Sequence, residues 1–283
     1  ALLNCQPMGY YSPATLANEA RTRGVKFLPP DVNVSGDRFT VETGRAIRIP
    51  LSQVKGMRKE TLTRILEARR SAPFSSLLDF YLRTGTERDT LENLILCGAF
   101  DTLHPNRKAL LAWMPEVLRS SLLQASLDLG PPPGIADFSP EEKYVLEYQV
   151  LEMDIKRHFM TFWREKLSGE GYITAKEALK IPDGRQVKVA GLPVRPHRPP
   201  TRSGRTVVFL SLEDETGLLD VTVFEDVYQK YGHLLFGAEK GPLKVAGLIQ
   251  RRGKGAALIA QKIAELVPCK KNKTAPGGTP LRI

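Results

Sequence analysis

Cysteine is scarce in this 283-residue chain, and the three present, Cys5, Cys97 and Cys269, lie far apart. No CxxC pair occurs, which argues against a structural zinc site, and the odd number argues against a disulfide framework. Cysteine usage of this kind fits a reducing cytoplasm. No apolar run approaches the length that crosses a bilayer. Residues 1–8, Ala-Leu-Leu-Asn-Cys-Gln-Pro-Met, lack the charged start and apolar core of a signal peptide. The chain starts at Ala1 and not at Met, which fits an origin inside a longer protein. Histidine is rare too. His104, His158, His197 and His233 are scattered without ligand spacing, and none stands beside a serine or cysteine in a nucleophile pattern. The acidic clusters Glu141-Glu142, Glu213-Asp214-Glu215 and Glu225-Asp226 sit at helix starts or turns, where capping and solvation explain them. Catalytic residues are therefore not expected, and neither metal nor cofactor is expected in this chain.

What the chain has in excess is positive charge. Its net charge is +10, with 41 Lys and Arg against 31 Asp and Glu. Phosphates attract such a surface and release counterions on binding, so nucleic acid is the expected partner class. The length allows two or more domains, and 42% hydrophobic residues suffice for a core in each.

The excess charge gathers at two glycine corners. Val54-Lys55-Gly56-Met57 precedes a helix expected over 60–70, where Leu62, Ile65 and Leu66 share one face. Cys97-Gly98-Ala99-Phe100 precedes a helix expected to begin near Asn106-Arg107-Lys108. A glycine turn that opens a helix offers bare N–H groups and the positive end of the helix dipole to a phosphate. Lys55, Gly56, Arg58, Lys59, Gly98, Arg107 and Lys108 are the candidate DNA contacts. Taken alone, the same pattern also suits an ordinary αα-hairpin with a glycine C-cap.

Before the corners, Ser12 and Pro13 read as N-cap and first residue of a helix that stops at Gly24, followed by three short strands. Beyond them, Met114-Pro115 bends a helix that runs towards Leu129 and meets Gly130-Pro131-Pro132-Pro133-Gly134. Ser139 and Glu142 form a capping-box spacing. Residues 186–262 alternate as strand, strand, strand, helix, strand, strand, the order of an OB-fold barrel. The loop 195–205, RPHRPPTRSGR, contains no acidic residue. Arg195, Arg198, Arg202 and Arg205, with Phe209 and Phe224 on the neighbouring strands, form the candidate single-strand site, because bases stack on aromatic rings beside a cationic groove. The pattern leaves open whether each phenylalanine points outward or into the barrel.

Gln6-Pro7-Met8-Gly9-Tyr10-Tyr11-Ser12-Pro13, GVKFLPPDVNVS, VKGM and EARRSAPFSSLLDF occur in one order and at natural spacing. Together with GRQVKVAGLPV and VVFLSLEDETGLLDVTVF they resemble the bacterial C-family DNA polymerases, the polymerase III alpha subunit and its error-prone relatives. The resemblance covers nearly the whole chain up to about Pro268. It departs at Arg58, where the hairpin pattern usually has a second glycine, and at Phe159, which stands for a proline after His158.

The resemblance implies an α+β multidomain chain: the end of the fingers over 1–48, a tandem helix-hairpin-helix over 49–115 and a helical connector over 116–180. A five-stranded OB-fold over 181–268 and a basic tail over 269–283 follow. It implies duplex and single-stranded DNA as partners in replication or translesion synthesis, in a bacterial cytoplasm. It places the Mg2+-holding carboxylates in a palm domain outside this chain, joined in cis or as a separate chain, so the chain alone is not expected to extend a primer. Gln124, Leu127, Asp128 and Leu129 are similar to the peptide by which such polymerases engage the sliding clamp, although the final aromatic residue is missing and the leucines could equally pack internally. The alternatives are a stand-alone, non-catalytic accessory protein that binds DNA, or one that binds RNA.

Overall fold

A computed structural model describes residues 2–6, 12–119, 135–201, 204–236, 241–253 and 255–266. Pro7 to Tyr11, the candidate clamp peptide at 124–129, Arg202 and the basic tail fall outside them. The chain divides into two compact units, 1–156 and 157–283, each with its own apolar core.

In the first unit, Ser12 caps α1 (Pro13–Thr22) by accepting a hydrogen bond from Thr15 N. A small sheet follows. Central β3 (Ala46–Arg48) pairs in parallel with β1 (Lys26–Leu28) and antiparallel with β2 (Thr40–Glu42). Next come α2 (Lys59–Ser71), α3 (Leu77–Thr84), α4 (Arg88–Leu96) and α5 (Arg107–Arg119), with Pro115 inside α5. Helix α6 (Pro140–Leu151) opens on the complete Ser139–Glu142 capping box. Ile65, Phe80, Leu91, Leu94, Val117 and Leu151 are fully buried in the shared core. Stripping such side chains from water is the main force holding the hairpin region together.

The division at Lys156 cuts the stretch expected to be a connector. Val150, Leu151, Met153 and Ile155 bury into the first unit. The short helices α7 (Arg164–Gly169) and α8 (Ala175–Ala178) belong to the second. There β4 (Gln186–His197), β5 (Val207–Asp214), β6 (Gly217–Phe224), β7 (Leu243–Arg252) and β8 (Gly255–Glu265) close a barrel in the order β4-β5-β6-β8-β7. The β6–β8 pairing is parallel and the others antiparallel. Helix α9 (Glu225–Phe236) lies between β6 and β7 in sequence. This is an α+β protein with a helical front and an OB-like barrel. Among the described residues no helix is long and apolar enough to cross a membrane.

At the β5–β6 turn the expected solvation fails for Glu213 and Asp214, which are buried. Asp214 is 1% exposed and accepts hydrogen bonds from Ala175 N at 2.7 Å, Thr216 N at 2.8 Å and Arg164 Nη2 at 3.1 Å. The carboxylate caps α8 and ties the turn to α7, which is why it can be buried. His158, also buried, accepts from Met160 N through Nδ1.

Candidate nucleic-acid interfaces

The first corner opens towards solvent. Lys55, Gly56, Arg58 and Lys59 are all exposed. The segment before Gly56 is a three-residue 3-10 turn, Leu51–Gln53, and not the helix of a full hairpin. Pro50 precedes it, and Ile49, Leu51 and Val54 are sunk in the core. Gly56 has φ +81°, a left-handed conformation that suits glycine. Met57 N donates to Val54 O at 3.0 Å and closes the turn. Arg58 stands at the N-cap of α2 without a side-chain cap, so no side chain occupies the helix start.

The second corner differs. Gly98 has φ +82°, as a glycine turn requires. Arg107, expected beside it as a phosphate contact, is buried. Its Nε and Nη2 donate to the two Asp101 carboxylate oxygens at 2.8 and 2.6 Å, Nη2 also to Glu147 Oε1 at 2.8 Å, and Nη1 to Leu96 O at 3.0 Å. Burial opposes its charge, but Asp101 and Glu147 outweigh burial and hold the guanidinium more firmly protonated than usual. Lys108 is half-buried. Its backbone N–H donates to Asp137 Oδ1 at 3.3 Å, and its ammonium lies 5.6 Å from the centroid of the Phe138 ring. Asn106 caps α5 through Ala109 N and reaches Ile135 O at 2.7 Å. Asp137 therefore takes the Lys108 N–H at the start of α5 that a phosphate was expected to take. Gly98 and Arg107 are buried in an internal joint, with the Asp101 and Glu147 carboxylates on the guanidinium, while the Lys108 side chain stays half-buried.

On the barrel, Phe209 and Phe224 both point outward, 37% and 43% exposed, while Val208, Leu210 and Val223 fill the core. Phe224 pairs with Val207, and Phe209 pairs with His197, whose ring centroid lies 5.7 Å away. Strand β4 continues to His197, beyond the expected start of the basic loop at Arg195. His197 therefore joins the aromatic face, a place that its isolated position in the sequence did not signal. Arg195, Arg198 and Arg205 are exposed around it. Arg198 sits 5.9 Å from the ring centroid of Tyr228 on α9 and donates to its hydroxyl at 3.4 Å. Arg251 lies on β7. Its guanidinium is spent on the chain itself, donating to Leu179 O and Ile181 O, and its backbone N–H donates to Asp183 Oδ1. Among the described residues no group of three His, Cys, Asp or Glu side chains is placed to hold a metal ion.

Residues 24–110 match the helix-hairpin-helix motif family. The error-prone DNA polymerase of Symbiobacterium thermophilum is 44% identical over 93% of this chain and 29% of its own length. Error-prone DNA polymerase 1 of Rhizobium meliloti is 32% identical over 95% of this chain and 26% of its own, and the Azoarcus enzyme 34% identical over 94% and 26%. The chain thus spans less than a third of the length of each. Among solved structures, asparaginyl-tRNA synthetase from Pyrococcus horikoshii aligns with 34% of this chain and 23% of its own at 21% identity, with a TM-score of 0.27, which carries no argument. Over almost its whole length, then, the chain is similar to one part of the error-prone DNA polymerases, and over residues 24–110 it matches the helix-hairpin-helix motif family.

Proposed function

We propose that this chain is the DNA-holding C-terminal part of a C-family, polymerase III alpha-type polymerase, with the bond-forming machinery elsewhere in cis or on a separate chain. The first corner grips a duplex phosphate with the α2 start, flanked by Lys55, Arg58 and Lys59. The outer face of the barrel guides single-stranded template, with bases on Phe209 and Phe224 and phosphates on the arginines of 195–205. The 124–129 peptide is the proposed clamp contact, and the bacterial cytoplasm is the proposed location. The observation that carries the reading is the 44% identity to an error-prone DNA polymerase across 93% of the chain. The exposed cations at the uncapped start of α2 support the duplex role, and the two outward rings support the single-strand role.

Such contacts go to the backbone and read no sequence. Affinity should fall steeply with salt, by about 0.9 in log–log slope for each duplex phosphate neutralised. Fluorescence anisotropy of the full chain on duplex DNA, single-stranded DNA and tRNA tests this. Changing Lys55, Arg58 and Lys59 to alanine should weaken duplex binding and flatten its salt slope. Changing Phe209 and Phe224 to alanine should cost single-strand affinity, roughly 1–3 kcal/mol for each base that loses its stacking partner. Wild-type duplex affinity in the triple variant at low salt would reject the hairpin role. Preference for tRNA over both DNAs would favour the RNA-binding alternative.

A further inference from the structure

The Gly56 corner is held in place by the helix that leads to the other corner. Asn93 Nδ2 donates to Lys55 O at 2.9 Å, and Thr90 Oγ1 donates to Gly56 O at 3.2 Å. Both side chains project from α4, three positions apart, so they lie on one helix face. From another side Lys55 N donates to Val150 O at 3.1 Å. These bonds fix how the peptide planes of the turn stand. In a trans peptide the N–H of one residue points opposite to the carbonyl before it. With the Lys55 carbonyl bound to Asn93, the Gly56 N–H is aimed away from α4, and Gly56 itself is exposed.

Helix α4 is a firm base for this task. Leu91, Leu94 and Ile95 are fully buried. Its end is tied by Arg107, which binds Leu96 O, Asp101 and Glu147 together. We propose that Thr90 and Asn93 are positioning residues for phosphate recognition at the first corner, and that the second corner is its brace and not a second phosphate site. This deepens the duplex-gripping reading and rests on it. The tandem works as one contact and one support, because the Arg107 guanidinium and the Lys108 N–H at the start of α5 are already bound within the chain.

The test compares T90V, N93A and their double variant with T90S and with the Lys55, Arg58 and Lys59 triple alanine variant, all in the full chain. Valine keeps the shape of threonine and removes the hydroxyl donor; serine keeps the donor. The double variant should bind duplex DNA about tenfold more weakly at every salt concentration, as two lost hydrogen bonds would allow. Its salt slope should stay at the wild-type value, because every cation remains. Single-strand affinity should not change, and T90S should bind duplex as the wild type does. A structural defect alone would appear as a lowered unfolding midpoint without this pattern. Should the double variant fold poorly, N93A alone decides the matter, since Asn93 is only half-buried. It should weaken duplex binding severalfold on its own. Wild-type duplex affinity in folded N93A and T90V, beside a weakened triple variant, would overturn the positioning role and leave the duplex reading standing. Wild-type affinity in the triple variant too would remove the reading beneath it.

Discussion

Arg107 has the charge and the neighbourhood of a phosphate ligand, yet its guanidinium faces Asp101, Glu147 and Leu96 O. Replacing it by methionine would leave two carboxylates facing a part-buried gap. The expected loss is about 3–5 kcal/mol, the usual range for breaking a buried pair, read from denaturant midpoints. The loss should also depend on pH. Burial raises the Glu147 pKa, and Arg107 is the main influence opposing it. Without Arg107 the folded-state value rises further above the unfolded one, so the native state holds a proton that the unfolded state has released. Stability of R107M should therefore fall as pH rises from the ordinary carboxylate range, about 4.3, through the raised value, and the defect should shrink in acid. Lys55→Met, on an exposed side chain, should stay within about 0.5 kcal/mol of wild type. The two cysteines among the described residues differ as sharply. Burial pushes the Cys97 thiol up to about 12, while Cys5 is exposed. Cys5 should alkylate in the native protein, and Cys97 only after denaturation. Equal rates would mean that the Cys97 region opens far more readily than its packing allows.

Among the elements, the two glycine corners look alike in sequence and differ in surroundings. A Cβ added at Gly56 would meet nothing closer than Thr90 Oγ1 at 3.7 Å. Gly56→Ala should thus cost only the left-handed backbone strain, about 1–2 kcal/mol. A Cβ at Gly98 would lie 2.3 Å from Arg107 Nη2 and 2.8 Å from Asp101 Oδ2. Four hydrogen bonds fix that guanidinium, so it cannot swing aside cheaply. Gly98→Ala should lower the melting temperature more than Gly56→Ala, and a reversal of that order would contradict the packing described for Arg107. Helix α2 was legible in the sequence because Leu62 and Ile65 recur at helical spacing. The 3-10 turn before Gly56 was not, since Ile49, Leu51 and Val54 show no helical or strand period, and their places are set by burial in the shared core. The outward aim of Phe209 was also hidden. Val207, Val208, Phe209 and Leu210 are all apolar, so the strand shows no alternation from which to choose a face; closure of the barrel chooses it.

For the whole molecule, two cores mean two places to destabilise. Ile65 is fully buried in the first unit and Leu219 in the second. Leu219→Ala should cost about 2–5 kcal/mol. Hydrogen exchange should quicken across β5, β6 and β8 while amides of α2 and α4 keep their protection; quickening across both units would show that the cores are not separate. The amino-acid sequence by itself determined the glycine corners, the surplus of cations, the strand–strand–strand–helix–strand–strand order and the likeness to the polymerases. These are local or compositional properties, set by backbone freedom, side-chain charge and periodicity. Only the tertiary structure decided which cations face outward. Glu147, which takes the Arg107 guanidinium, lies 40 positions along the chain from it. A charge turns inward when folding delivers a carboxylate to it, and that delivery belongs to the packing of α5 against the chain that follows, not to the residues beside the glycine.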